Sequence, residues 1–285
     1  MNAPDPIKLR GTIGDILVAR GHLTEADTHR IVARQRTQHE PFGVAAVALK
    51  LVTQKDLDAA LSTQFSYDYL PEDDTSLSRE VVTAYKPFSR SSEEMRALRS
   101  QLMLRWFNND AGRSVLSIVS QRTKDGRSYI AANLAVVFAQ QGQRTLLIDG
   151  DLRNPRQSEL FRTPNSAGLA GILSGRVGTE VITPVSGLPG LSILPAGAPP
   201  PNPQELVGMP RFGELIQQAV RDHDVVLIDT PASDAYADAE IISARAGAAL
   251  LVARKHKSLL RGTNELSRQL QDSGIALVGS VLNHY

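Results

Sequence analysis

The chain has 285 residues, 42% hydrophobic and 21% charged, with a formal net charge of +1 and no cysteine. Those values suit one large or two modest domains with a full apolar core. They exclude disulfides, Cys-based zinc sites and Cys nucleophiles, and they supply no overall field to draw the chain onto nucleic acid. No apolar run approaches the about 20 residues of a membrane helix, and the opening MNAPDPIKLRG carries no apolar signal core. Any role at a membrane is therefore expected to run through a partner.

Residues 1–64 contain an internal repeat. Gly14, Leu23, Thr24, Asp27 and Gln35 recur as Gly43, Val52, Thr53, Asp56 and Gln64, each pair 29 positions apart. Each unit reads as two short helices. The first is apolar (Ile13, Ile16, Leu17; then Val44, Val47, Ala48), and Thr24 and Thr53 stand as N-caps of the second. Asp27 and Asp56 take the acidic place of a capping box. Two such units can bury their faces on each other as a small all-helical domain. The repeat resembles the MshEN-type domain at the front of secretion ATPases, with its two motifs at Thr12–Gln35 and Pro41–Gln64 and a spacer at Arg36–Glu40. Some domains of that type bind cyclic di-GMP, which makes cyclic di-GMP a candidate ligand. The motif's leading arginines are Thr12 and Pro41 here, Lys50 replaces its glycine and Thr28 a leucine. The alternative is a docking or oligomerisation module without the ligand.

Residues 65–90 read as a linker: acidic, Ser-rich and Pro-containing text replaces helical periodicity, and Tyr67, Tyr69 and Tyr85 fall in it. A helix is expected over 91–107, capped near Ser91-Ser92. Leu98, Leu102 and Trp106 mark one face, and Glu93, Arg96 and Arg99 form a polar stripe that can pair within the helix.

From Val115 onward apolar strands alternate with amphipathic helices. Strands are expected at 115–119, 144–149, 191–195, 224–229, 247–253 and 275–282, and helices near 127–141, 204–221, 236–245 and 259–272. That alternation is the pattern of an α/β, doubly wound parallel sheet, whose ligands sit at the carboxyl ends of strands. The segment Pro195–Pro203 reads as a rigid spacer loop.

Three strand ends carry the chemistry. The first strand leads to Thr123, Lys124, Asp125, Gly126, Arg127, Ser128 and Tyr129. Gly126 lets backbone N–H groups approach a phosphate at the start of a helix, and Ser128 is placed to ligate Mg2+. The usual lysine of such a loop is replaced by Arg127, which carries charge but not the same shape. The second strand delivers Asp149 and Asp151 on alternate residues, so the two carboxylates can do different jobs. The third, VVLID, ends in Asp229, positioned to polarise the water shell of a metal. Arg153 reads as a salt-bridge partner for the carboxylates beside it.

With a phosphate loop before them, the patterns at Asp149–Arg153 and Asp229–Pro231 resemble the bacterial tyrosine kinases, which use a P-loop NTPase (MinD/ParA-like) fold. More narrowly, YKPFS at Tyr85–Ser89, RALRSQLMLRW at Arg96–Trp106 and LLIDGDLRNPRQSELF at Leu146–Phe161 are similar to the EpsG-type chain-length-determinant kinases of exopolysaccharide export. The resemblance implies an ATP- and Mg2+-dependent autophosphorylating tyrosine kinase over 91–285. Asp149 is implied as the base, Asp151, Asp229 and Ser128 at the metal, and residues 123–129 around the phosphates. It implies a homo-oligomeric ring through Glu93, Arg96 and Arg99, and a membrane chain-length regulator as partner at the cytoplasmic face of the inner membrane. Tyr285 and Tyr85 are candidate phosphoacceptors. Two other readings stay open. One is a MinD/ParA-like switch, although Arg122 stands where that group carries a second lysine. The other is a catalytically weak nucleotide-binding scaffold, which Arg127 favours. The run Arg254-Lys255-His256-Lys257 is either a solvated turn or a lip near the phosphates, too short for a nucleic-acid surface.

Overall fold

The computed structural model describes residues 11–64, 69–71, 73–107 and 112–284. The chain divides into two compact units, Met1–Tyr69 and Leu70–Tyr285. Among the described residues no helix is long and apolar enough to cross a membrane.

The first unit is helical, with α1 (Ile13–Ala19), α2 (Glu25–Gln38), α3 (Phe42–Ala48) and α4 (Gln54–Gln64). The capping boxes expected at Thr24 and Thr53 are formed. Asp27 accepts from the Thr24 N–H at 3.1 Å and Asp56 from the Thr53 N–H at 2.9 Å. A third box, Thr12 with Asp15, starts α1. Ile16, Leu17, Leu23, Ile31, Ala45, Ala46, Val52 and Ala60 close the core. At Gly43 a Cβ would come within 2.7 Å of the Leu57 methyls, so α3 approaches α4 too closely for a side chain there.

The second unit is built on seven strands: β1 (Val115–Val119), β2 (Thr145–Asp149), β3 (Thr183–Pro184), β4 (Leu191–Leu194), β5 (Val225–Asp229), β6 (Ala248–Arg254) and β7 (Ala276–Asn283). Their order is β3-β4-β2-β5-β1-β6-β7, parallel except for the two-residue edge strand β3. β1, β2 and β5 are buried along their whole length, as strands covered on both faces must be. The helices are α5 (Val82–Tyr85), α6 (Arg90–Arg105), α7 (Arg127–Ala139), α8 (Gln157–Leu160), α9 (Leu169–Leu173), α10 (Pro203–Gly208), α11 (Pro210–Asp222), α12 (Asp238–Ala246) and α13 (Leu260–Asp272). α7 is apolar all round because the sheet covers one side and α5 and α6 the other.

Three expectations are revised. The stretch read as linker is part of this unit from Leu70 on. Leu70, Leu77, Val81, Ala84 and Tyr85 are buried in its core, and Thr83 donates from both its N–H and its hydroxyl to buried Asn133 of α7. These apolar residues are too sparse to show a period, and only α7 gives them a surface. The cap of α6 is Ser89, whose hydroxyl accepts from the Ser92 N–H at 3.2 Å, while Ser92 is buried and donates to the Lys86 carbonyl at 2.6 Å. The single helix expected over 204–221 is two, because Pro210 cannot donate to the preceding turn and starts α11 instead.

Candidate nucleotide site

The strand order sets the site. β2 pairs with β5 so that Asp149 stands beside Asp229, and β5 pairs with β1, which leads into the phosphate loop. Gly126 has φ +105°, and a Cβ there would collide with the Asn283 amide. That amide, from the end of β7, donates to the Asp125 carbonyl at 3.0 Å. Asp125 itself faces inward: its carboxylate accepts from the Arg122 N–H at 3.1 Å and the Ser258 hydroxyl at 2.8 Å. It is a brace of the loop, contributing backbone but not its side chain to an incoming phosphate. Arg254, of the basic run, donates to the Lys124 carbonyl at 3.1 Å, which joins that run to the loop.

Arg127 is 6% exposed. Its Nε donates to the Thr230 carbonyl at 2.8 Å, and Nη1 donates to the Arg122 carbonyl at 3.0 Å and to the Ser120 hydroxyl. Nη2 is 3.8 Å from Asp151. The guanidinium thus ties the phosphate loop, from its first residue Ser120, to the loop after β5, and its Nη2 end faces Asp151. A lysine could not span these acceptors.

Lys124, Gly126, Arg127, Ser128, Asp151 and Arg156 line a cleft of about 660 Å³, with Thr123 and Tyr129 at its walls. Asp149 and Asp229, both 0% exposed, lie one layer behind it. One Asp149 oxygen accepts from the N–H groups of Arg156 at 3.1 Å and Gln157 at 2.9 Å, the other from Asp151 N–H at 3.3 Å. Burial, and then the neighbouring charge of Asp229, push its carboxyl well above the usual carboxylate range. Burial also pushes Asp229 up to about 6, opposed first by the charge of Arg127. Asp229 Oδ2 accepts from Gln157 Nε2 at 2.8 Å, while Oδ1 is buried without a hydrogen-bond partner.

The unpaired buried oxygen is the observation that tests the site for Mg2+. Among the described residues no three His, Asp or Glu side chains form a self-sufficient metal cluster. The donors present are one hydroxyl and carboxylates, the hard-oxygen set Mg2+ takes when nucleotide phosphates and water complete its shell. Ser128, Asp151 and Asp229 fit that ion.

Gln157 was not legible in the sequence, since a lone glutamine six positions past Asp151 carries no pattern. Its Nε2 joins the Ser128 carbonyl at 3.2 Å to Asp229, and its N–H holds Asp149. Gln157→Leu removes the amide that orients Asp229. A hydrogen bond to a charged group is worth about 1.5 kcal/mol or more. The Mg2+-dependent gain in affinity for a fluorescent ADP is therefore expected to fall about tenfold, with Mg2+-free affinity little changed. Equal losses in both titrations would sink the assignment.

Other sequence candidates sit elsewhere. Glu93 pairs with Arg96 at 2.6 Å and is exposed, while Arg96 also donates to the Pro87 carbonyl and Arg99 to the Val137 carbonyl at 2.8 Å. Both arginines brace α6 within its own unit. Tyr85 is 5% exposed and its hydroxyl donates to the Leu77 carbonyl at 2.9 Å and accepts from the Leu77 N–H at 3.1 Å. As placed, its hydroxyl is buried and engaged on both sides by the Leu77 backbone. Tyr285 lies outside the described residues. Arg153 pairs with Asp238 of α12, at 2.7 and 3.2 Å, and not with the carboxylates beside it, because α12 turns its first residue toward the loop after β2.

No family model matches the chain. It is 35% identical over 246 residues to a putative tyrosine-protein kinase EpsB of Ralstonia solanacearum, across 86% of this chain and 31% of that protein. It is 32% identical over 198 residues to a putative tyrosine-protein kinase CapB of Staphylococcus aureus, across 70% of this chain and 86% of that protein. The chain thus spans about a third of the first relative and most of the second. Among solved structures, the kinase domain of the Escherichia coli tyrosine kinase ETK matches with TM-score 0.68 and 28% identity, covering 76% of this chain and 80% of that one. The septum site-determining protein MinD complexed with Mg-ADP, from Pyrococcus horikoshii, matches with TM-score 0.54 and 28% identity, covering 60% and 70%.

Proposed function

We propose that this chain, which belongs to the bacterial tyrosine-protein kinases, transfers the γ-phosphoryl group of ATP to tyrosine. The observation that carries this reading is the meeting, at three adjacent strand ends, of a phosphate loop, a buried arginine and three aspartates of unequal environment. Backbone N–H groups of residues 123–129 and the start of α7 would hold the phosphates. Mg2+ held by Ser128, Asp151 and Asp229 would neutralise charge on the phosphates. Asp149 is the base in this reading: burial raises its affinity for a proton, the property a group needs to take one from a phenol. The N–H groups of Arg156 and Gln157 cover it, so the segment 154–157 has to shift for a phenol to reach it.

We place the protein in exopolysaccharide export, as a homo-oligomer that uses the exposed Glu93 side of α6, on the cytoplasmic side beneath a membrane chain-length regulator. The EpsB and CapB similarities support that setting. We read the N-terminal unit as a docking or oligomerisation module; a saturable titration with cyclic di-GMP would replace that reading. A second reading of the site is a nucleotide-binding scaffold, favoured by one feature: most of the Arg127 guanidinium is committed to internal acceptors.

Incubation of the purified full chain with Mg-ATP, followed by intact mass measurement, tests the assignment. Phosphotyrosine that disappears in Asp149→Asn is the expected result. ATP turnover without protein phosphorylation would point to a MinD/ParA-like switch, and nucleotide binding without turnover to the scaffold. The same assay with a cytoplasmic segment of the membrane regulator separates an inactive chain from an unstimulated one.

A further inference from the structure

We propose that Tyr236 is a phosphorylation site of this chain, an inference that rests on the kinase reading above. The segment Thr230–Ala237 leaves β5 directly after Asp229 and is stitched to both other loops of the site. On one side, the N–H groups of Ser233 and Asp234 donate to the carbonyls of Ser120 and Gln121, at the root of the phosphate loop, at 3.1 and 3.0 Å. On the other, Arg153, two residues past Asp151, pairs with Asp238 and lays its guanidinium 3.5 Å from the centroid of the Tyr236 ring. Tyr236 is therefore held where the three strand-end loops meet.

Its exposure sets it apart. Tyr236 is 48% exposed, whereas Tyr85 is buried and Tyr69 and Tyr129 are half-buried. Among the described residues no hydrogen bond engages its hydroxyl, in contrast to that of Tyr85. The cation–π contact on the ring face holds the side chain in place without consuming the oxygen. An acceptor for a kinase needs that combination: a fixed ring, a free hydroxyl and a position on a surface loop.

In the transfer, Tyr236 Oη attacks the γ-phosphorus of a nucleoside triphosphate bound to this chain or to a second copy. The Oη–P bond forms, the bond from γ-phosphorus to the β–γ bridging oxygen breaks, and the nucleoside diphosphate leaves with the electron pair. The phenol proton passes to a carboxylate.

The test is peptide mapping of the full chain after incubation with Mg-ATP. Cleavage after Arg and Lys releases Asp222–Arg245, in which Tyr236 is the only tyrosine, and separates it from the peptide that ends in Tyr285. Expected is one phosphate on Asp222–Arg245, assigned to Tyr236 by fragmentation and lost in Tyr236→Phe. That variant keeps the ring on Arg153, and an unchanged thermal melt shows it folded. Phosphotyrosine on other peptides with none on Asp222–Arg245 overturns the proposal and leaves the kinase reading standing. Phosphotyrosine nowhere, with the cytoplasmic segment of the membrane regulator also present, overturns both.

Discussion

Asp229→Asn is expected to stabilise the nucleotide-free protein while sharply lowering its phosphoryl transfer. Asp229 is fully buried, and its carboxyl is pushed from 3.8 up to about 6, mainly by burial. The sign follows from proton uptake. The folded state holds this proton more tightly than the unfolded chain, so ionised Asp229 destabilises the fold above pH about 6. That cost is relieved as pH falls through 6 and is gone below the unfolded value of 3.8. A shift of about two pH units corresponds to about 3 kcal/mol. An amide carries no such cost and can still accept from Gln157. For a unit of this size each kcal/mol moves the melting temperature by about 2–4 °C. The variant should therefore melt about 6–12 °C higher at pH 7, with a smaller gain at pH 5. Loss of the charge facing the metal should lower transfer by about 10²-fold or more. Thermal melts at the two pH values and a transfer assay check this. A variant that melts below the parent at pH 7 would contradict the burial argument.

Arg127→Met is expected to damage both fold and chemistry. The guanidinium satisfies the carbonyls of Thr230 and Arg122 and the Ser120 hydroxyl, and it faces Asp151. Methionine fills much of the volume but leaves those acceptors buried and the three aspartates without their cation. Removing one side of a buried charged network costs about 3–5 kcal/mol, so a fall in melting temperature of about 10 °C is expected. Transfer should fall by at least about 10². Arg127→Lys should lie between, since one ammonium cannot reach all three of these acceptors. A methionine variant that melts with the parent would show that the loop is closed by something else. The opposite signs of the two stability effects come from one cause. Asp229 is a buried charge that the apo protein tolerates at a cost, and Arg127 is the charge that offsets it.

The arrangement of the site was partly open to reading before the fold was known. The DGRS loop, the paired Asp149 and Asp151 and the terminal Asp229 could be placed at strand ends because each motif is contiguous and each strand is an apolar run. The depth of these residues could not. Asp149 lies behind the cleft because α8 sets its first N–H groups on that carboxylate, and nothing in DLRNPRQ announces a four-residue helix. Tyr85 read as a linker residue because the surface that buries it, α7, lies more than 40 positions away.

What the sequence by itself determined is therefore local: the repeat and its Thr–Asp capping boxes, the succession of strands and helices, and which residue types stand at each strand end. Those follow from hydrogen bonds and periodicities that act within a few residues. Tertiary structure alone decided the partners. Arg127 meets a carbonyl 103 positions away, Gln157 a carboxylate 72 away, and Asn283 the phosphate loop 158 away. Such contacts depend on the order β2-β5-β1-β6-β7. No spacing along the chain encodes that order, because it is set by which apolar faces can be buried together.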